Sequence, residues 1–208
     1  NPYIDKLHLL DTNLKPLIKT LKEENFDIII DLHNNLRTRI IKLNLGVKSY
    51  SFNKLNFKKF LYTQFKKNYL PDIHIVERYL ETASSLNIKN DGKGLDYFIP
   101  KKDEIDIATL GIKEAYIGFV IGAKFATKRL PKSKILEICK SLKTPVVFLG
   151  GPEDKAQGEE LVLELGNAQF YNACGKFNLN QSASLVKQAS KIITHDTGLM
   201  HIASAFQK

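Results

Sequence analysis

Lys191-Ile192-Ile193-Thr194-His195-Asp196-Thr197-Gly198-Leu199-Met200-His201-Ile202-Ala203 changes its periodicity part-way along. The first four residues are rich in β-branched side chains and read as a short strand; from Thr197 onward the pattern is helical. Asp196 or Thr197 can cap that helix, and Gly198 lets a ligand come close to the backbone. Free amides at such a helix start attract an anion, phosphate above all. An ordinary capped turn, with His195 and His201 serving in packing or hydrogen bonding, is the plain reading of the same residues.

The same unit recurs upstream. Strands are expected at 115–121, 146–149 and 169–171, with helices starting at Pro131, Pro152 and Asn178. Both prolines suit a first helical turn. Four strand-helix units in a row predict an α/β, Rossmann-like layer whose ligand cleft lies beyond the carboxyl ends of mostly parallel strands. The first half of the chain reads as helix at 14–24, strand at 26–32, helix after Asn35, strand at 47–52 and helix at 73–86. Turn chemistry at Asn90-Asp91-Gly92-Lys93-Gly94 precedes a short strand at 96–99 and the charged stretch 101–106. We therefore expect two domains, 1–103 and 104–208. No tandem repeat or low-complexity tract interrupts them.

The 208 residues are 43% hydrophobic and 25% charged, enough for a packed core. No run reaches the roughly 18 apolar residues of a membrane span, and Asn1-Pro2-Tyr3-Ile4-Asp5 lacks the blocks of a signal peptide, so a cytoplasmic location is expected. Cys139 and Cys174 form no CxxC and are expected as buried free thiols. A formal charge of +9 points to an anionic partner, whether nucleic acid, an acidic membrane face or a phosphorylated substrate.

Two further loops leave strand ends on the same edge as the opening stretch. Gly122-Ala123-Lys124-Phe125-Ala126-Thr127-Lys128-Arg129-Leu130-Pro131 carries three cations and a hydroxyl, able to neutralise a departing diphosphate or simply solvated. Gly150-Gly151-Pro152-Glu153-Asp154 permits a tight turn, with Glu153 either favoured by the helix dipole alone or bonded to ribose hydroxyls. Neither GxGxxG nor GxxxxGK[ST] occurs, and no His, Cys and carboxylate cluster has metal-ligand spacing, so no cofactor or metal is called for. Around residues 55–70, Phe57, Phe60, Leu61 and Phe65 share one face of a possible helix, and Lys58, Lys59, Lys66 and Lys67 fall largely on others. Such a helix either lies on an anionic membrane or packs in a core with a solvated lysine face.

Taken together, these stretches resemble glycosyltransferase family 9, the ADP-heptose:lipopolysaccharide heptosyltransferases of GT-B architecture. Asp196-Thr197-Gly198-Leu199-Met200-His201-Ile202-Ala203 is similar to its DxGxxHxA signature, and Lys128-Arg129-Leu130-Pro131 to its KRWP element, with Leu130 in the aromatic place. Leu149-Gly150-Gly151-Pro152-Glu153 resembles GGPxE, and Asp31-Leu32-His33-Asn34-Asn35-Leu36-Arg37 resembles the DLxxNLR stretch of the acceptor domain.

The resemblance implies two Rossmann-like domains, the N-terminal one incomplete, and an inverting, metal-independent transfer from a nucleotide sugar to an anionic lipopolysaccharide-core glycolipid on the inner face of the inner membrane. It implies that Lys128 meets the nucleotide phosphates, with Lys124 and Thr127 in the same loop, and that Glu153 meets the sugar or ribose hydroxyls. The amides of Thr197, Gly198 and Leu199 would take the diphosphate, Asp196 would shape that turn, Gly175 would flank the base, and His201 is a further candidate. The family's general base sits on a loop expected upstream of Asn1, so no catalytic base is assigned, and slow or no transfer is expected of this chain alone. A GT-B-like sugar-nucleotide epimerase, a basic nucleic-acid-binding module and a non-catalytic remnant are the alternatives; no nucleic-acid motif is present, and nucleic acid is not expected as a partner.

Overall fold

The computed structural model describes all residues, 1–208, as two compact units, Pro2–Lys93 and Gly94–Lys208, with Asn1 grouped with the second. The first contains α1 (Leu14–Glu23), β1 (Ile28–Asp31), α2 (Leu36–Leu45), β2 (Lys48–Ser51), α3 (Asn56–Phe65) and α4 (Ile75–Glu81). The second contains β3 (Ile117–Val120), α5 (Lys132–Ser141), β4 (Val146–Leu149), α6 (Lys155–Leu165), β5 (Phe170–Asn172), α7 (Leu179–Gln188), β6 (Lys191–Ile193) and α8 (Gly198–Ala205).

In the second unit four parallel strands lie in the order β5-β4-β3-β6. The chain steps outward from β3 through β4 to β5 and returns to the other side of β3 as β6. Strand order therefore reverses at β3, and a crevice opens at the carboxyl ends there. Period-two alternation explains the two apolar layers. Ile117, Phe119, Val146 and Phe148 pack with α5 and α6 through Ile135, Cys139 and Leu161. Val120, Val147 and Leu149 pack on the opposite face with Leu185, Val186 and Ile202 of α7 and α8. Tyr116 is fully buried, and its hydroxyl donates to the Leu185 carbonyl at 2.6 Å, so its one polar atom is satisfied.

The expected strand at 96–99 does not form: the segment pairs with no other strand. Its side chains are used instead, with Tyr97 and Ile99 packed on the α7/α8 layer and the Tyr97 hydroxyl donating to Asn180 Oδ1 at 2.9 Å. Asp103 is buried and accepts from Asn178 and Asn180 at 3.0 and 3.1 Å; Asn178 contributes most to holding its carboxyl below the usual range. These ties place residues 94–103 in the second unit, so the division falls at Lys93/Gly94, earlier than the 103/104 expected from composition. The helix expected over 73–86 ends at Glu81 and is followed by a 3-10 turn at Ser84–Leu86.

In the first unit β1 and β2 form a two-stranded parallel sheet. Asn35 caps α2 reciprocally with Thr38, and Gly46 ends it at φ 67°. Asp31 is buried; its carboxylate accepts from the His33 and Asn34 amides and pairs with Lys42 at 2.7 Å. Burial alone would raise the Asp31 pKa, but the Lys42 ammonium and the Asn34 amide outweigh it and the net shift is downward. Phe52, the large apolar side chain buried in this unit, lies beneath the Arg78 guanidinium at 4.9 Å and edge-on to Tyr79. No residue of α3 is buried: Phe57, Phe60 and Phe65 are 72%, 52% and 61% exposed.

Candidate functional site

The loops after β3, β4 and β6 and the start of α7 enclose a cleft of about 770 Å³. Lys124, Glu153, Thr197, Gly198 and Leu199, five of the residues singled out in the sequence, line it together. Each arrives by a strand end. Behind β6, Thr197 takes the N-cap position in extended backbone, but its hydroxyl does not bond the first-turn amides, and Thr197 Oγ1 is buried without a partner. The α8 amides at Gly198 and Leu199 are therefore left uncapped by Thr197 at the cleft, and the helix dipole adds partial positive charge there. Pro152 starts a 3-10 turn rather than the helix itself, and this turn, Pro152–Asp154, presents Glu153 as an exposed side chain on the cleft before α6 begins.

The remaining candidates lie outside the lining. Lys128 and Asp196 form an ion pair at 2.6 Å, which ties the β3 loop to the β6 loop; that bond from Lys128 holds the Asp196 carboxyl below its usual range. Thr127 is exposed on the 3-10 turn Ala126–Lys128, and His201 is exposed on α8. Gly175, at φ +68°, donates to the Gly150 carbonyl, and a Cβ there would lie 2.9 Å from Pro152 Cα, so it holds the end of the β5 loop against the β4 loop. Cys139 and Cys174 are free and buried, with thiols pushed up by burial to about 11 and about 12, which leaves them as packing groups rather than nucleophiles. No group of three or more His, Cys, Asp or Glu side chains is placed to hold a metal ion.

Several residues at the site were not among the ligand candidates drawn from the sequence, although His195 was expected in packing or hydrogen bonding and Arg129 was counted among the loop cations. Arg129 lines the cleft and donates from Nε to the Ala123 carbonyl at 2.6 Å. Asp154 lines the base of the cleft, 1% exposed, 3.4 Å from Arg129 and accepting from the Gly151 amide at 2.9 Å. His195 Nε2 accepts from the Leu130 amide at 3.1 Å; burial, helped by nearby Arg129, lowers its pKa and favours the neutral acceptor form. Phe177 and Asn178 complete the wall at α7. The one available signal was the third cation of the 122–131 loop; nothing in the sequence marked Asp154 as buried.

The family profile described as Glycosyltransferase family 9 (heptosyltransferase) matches residues 15–208. This chain belongs to that family. It is 28% identical over 210 aligned residues to lipooligosaccharide heptosyltransferase 2 of Haemophilus influenzae, an alignment covering 91% of the chain and 60% of that protein. The solved family 9 glycosyl transferase of Veillonella parvula superposes with a TM-score of 0.73 at 22% identity, covering 92% of this chain and 59% of that one. The ADP-heptose lps heptosyltransferase II of E. coli superposes at 0.69 with 23% identity, covering 93% and 64%. The chain thus spans about 60% of the length of these relatives. The structural likeness shows the fold, the α/β GT-B type with parallel sheets.

Proposed function

We propose that the cleft of the second unit is the donor site of a heptosyltransferase that moves heptose from ADP-heptose to a phosphorylated lipopolysaccharide-core glycolipid, with inversion and without a metal. The observation that carries this reading is the meeting of Lys124, Glu153 and the α8 start in one cleft at the strand-order reversal. The diphosphate would sit on the α8 amides of Gly198 and Leu199, with Thr197 beside them and the cationic loop of Lys124, Thr127 and Lys128 across from them. Glu153 would accept from sugar or ribose hydroxyls, Gly175 would keep its loop beside the base, and His201 would stand behind the turn. Because Lys128 already pairs with Asp196, an entering diphosphate competes for that ammonium with a carboxylate.

In the transfer, the acceptor hydroxyl gives its proton to a base, and its oxygen attacks the anomeric carbon opposite the leaving group. The bond to the nucleoside diphosphate breaks, and the cations and amides stabilise the charge that develops on it. We assign no base in this chain. Family membership and the curated heptosyltransferase relatives support the donor and acceptor classes. The acceptor being an anionic lipid, α3 would lie on the inner face of the inner membrane with Phe57, Phe60 and Phe65 toward the lipid, beside Lys58 and Lys59. No helix is long and apolar enough to cross a membrane.

Calorimetric titration without added metal tests the reading. ADP should bind more tightly than UDP, and Lys128→Ala and Glu153→Ala should each weaken ADP binding by about tenfold, in line with one charge-assisted contact. Absence of nucleotide binding overturns it. Product analysis with nucleotide sugar alone separates transfer from epimerisation, which would change the sugar with no acceptor present.

A further inference from the structure

A buried carboxylate at the base of an anion site is a puzzle, because Asp154 adds negative charge where the proposed ligand brings more. Its surroundings supply a reason for it. A Cβ at Gly122 would fall within the Asp154 carboxylate, so the first residue of the 122–131 loop is a glycine because this side chain fills that space. The carboxylate accepts from Gly151, which holds the β4 loop, and faces Arg129 at 3.4 Å. Arg129 in turn closes its own loop on the Ala123 carbonyl, next to Lys124. On the far side Leu130 donates to His195, immediately before the β6 loop. All three ligand loops are thus tied together at the base of the cleft, where Arg129 and Asp154 also line it.

We infer that Arg129 and Asp154 are positioning residues: with His195 they set the distance between the cationic loop and the α8 amides, so that two linked phosphates meet both at once. This rests on the donor reading of the cleft. A ligand held by two elements depends on their separation, whereas one held by a single element follows it as it moves. The clasp should therefore matter for ADP and much less for AMP.

The experiment is titration of ADP and AMP into the wild-type chain, Asp154→Asn, Arg129→Gln and Arg129→Lys, each checked for folding by circular dichroism. Asp154→Asn and Arg129→Gln should reduce the preference for ADP over AMP by about tenfold, with Arg129→Lys recovering part of it. Simple charge repulsion predicts the opposite sign for Asp154→Asn, so ADP binding that is unchanged or tighter in that variant overturns the inference and leaves the donor site standing. Equal weakening of ADP and AMP also overturns it, since that is general damage. Should Asp154→Asn fail to fold, His195→Phe replaces it: it removes the acceptor for Leu130 without touching the cleft lining. A reduced ADP preference then supports the clasp and an unchanged one overturns it. A wild-type chain that binds no ADP removes the donor reading, and the inference with it.

Discussion

The two units of this chain are held by different forces. In Gly94–Lys208 the strands are enclosed: every residue of β3 and β4 is buried, and apolar layers cover both faces of the sheet. In Pro2–Lys93 the strands are open, with Ile28 and Ile30 of β1 40% and 42% exposed, and the buried groups are Asp31, Phe52 and Ala83. Order there depends on directional contacts: the Asp31–Lys42 pair, the Asn34 amide on the Phe52 carbonyl, and Arg78 on the Asn53 carbonyl. An apolar core tolerates the loss of any one hydrogen bond; a polar framework does not. The firmer unit is also the one whose loops converge on a cleft, as a site needing fixed separations requires.

The largest effect expected from breaking this contrast is in the enclosed unit. Phe148 is fully buried between Phe119 and Phe170, and Phe148→Ala should lower the stability of the second unit by about 3–5 kcal/mol, read as a shift in its denaturant midpoint. A loss below about 1 kcal/mol would mean the layer is looser than its burial indicates. In the open unit, Asp31→Ala should cost about 2–3 kcal/mol, because Lys42, with 14% of its side chain exposed, is left poorly solvated. Since the Asp31 pKa is lowered in the fold, its contribution is complete above the ordinary carboxylate value of 3.8 and is lost as pH falls through the lowered one. An acid titration of the first unit's stability should show that loss in the wild type and a flatter profile in Asp31→Asn. An unchanged profile would mean the pair does not hold the unit.

Much of the second unit was legible because β3, β4 and β6 are short apolar runs with β-branched residues and the helical segments that follow them start next to Pro131, Pro152 and Thr197, each with a local cause. The cleft loops followed, since strand ends fix where loops emerge. Pairing was not legible. Residues 96–99 have strand composition but form no strand, and Tyr97 and Ile99 serve tertiary packing on the α7/α8 layer instead. The buried ties at the base of the cleft were missed for the same reason: the burial of Asp154 depends on Gly122 and Arg129, far away in sequence, and no periodicity reports it. At 55–70 the helix was legible but not its surroundings, and the exposure of Phe57, Phe60 and Phe65 comes from the structure alone.

Hydrogen exchange along the whole chain, with and without ADP, tests most directly whether three loops of the second unit form one receptacle. The account predicts slowed exchange in residues 122–130, 150–154 and 197–201 at the same ADP concentration, with Pro2–Lys93 unaffected. Protection of one loop without the others, or protection that falls mainly in Pro2–Lys93, would contradict it.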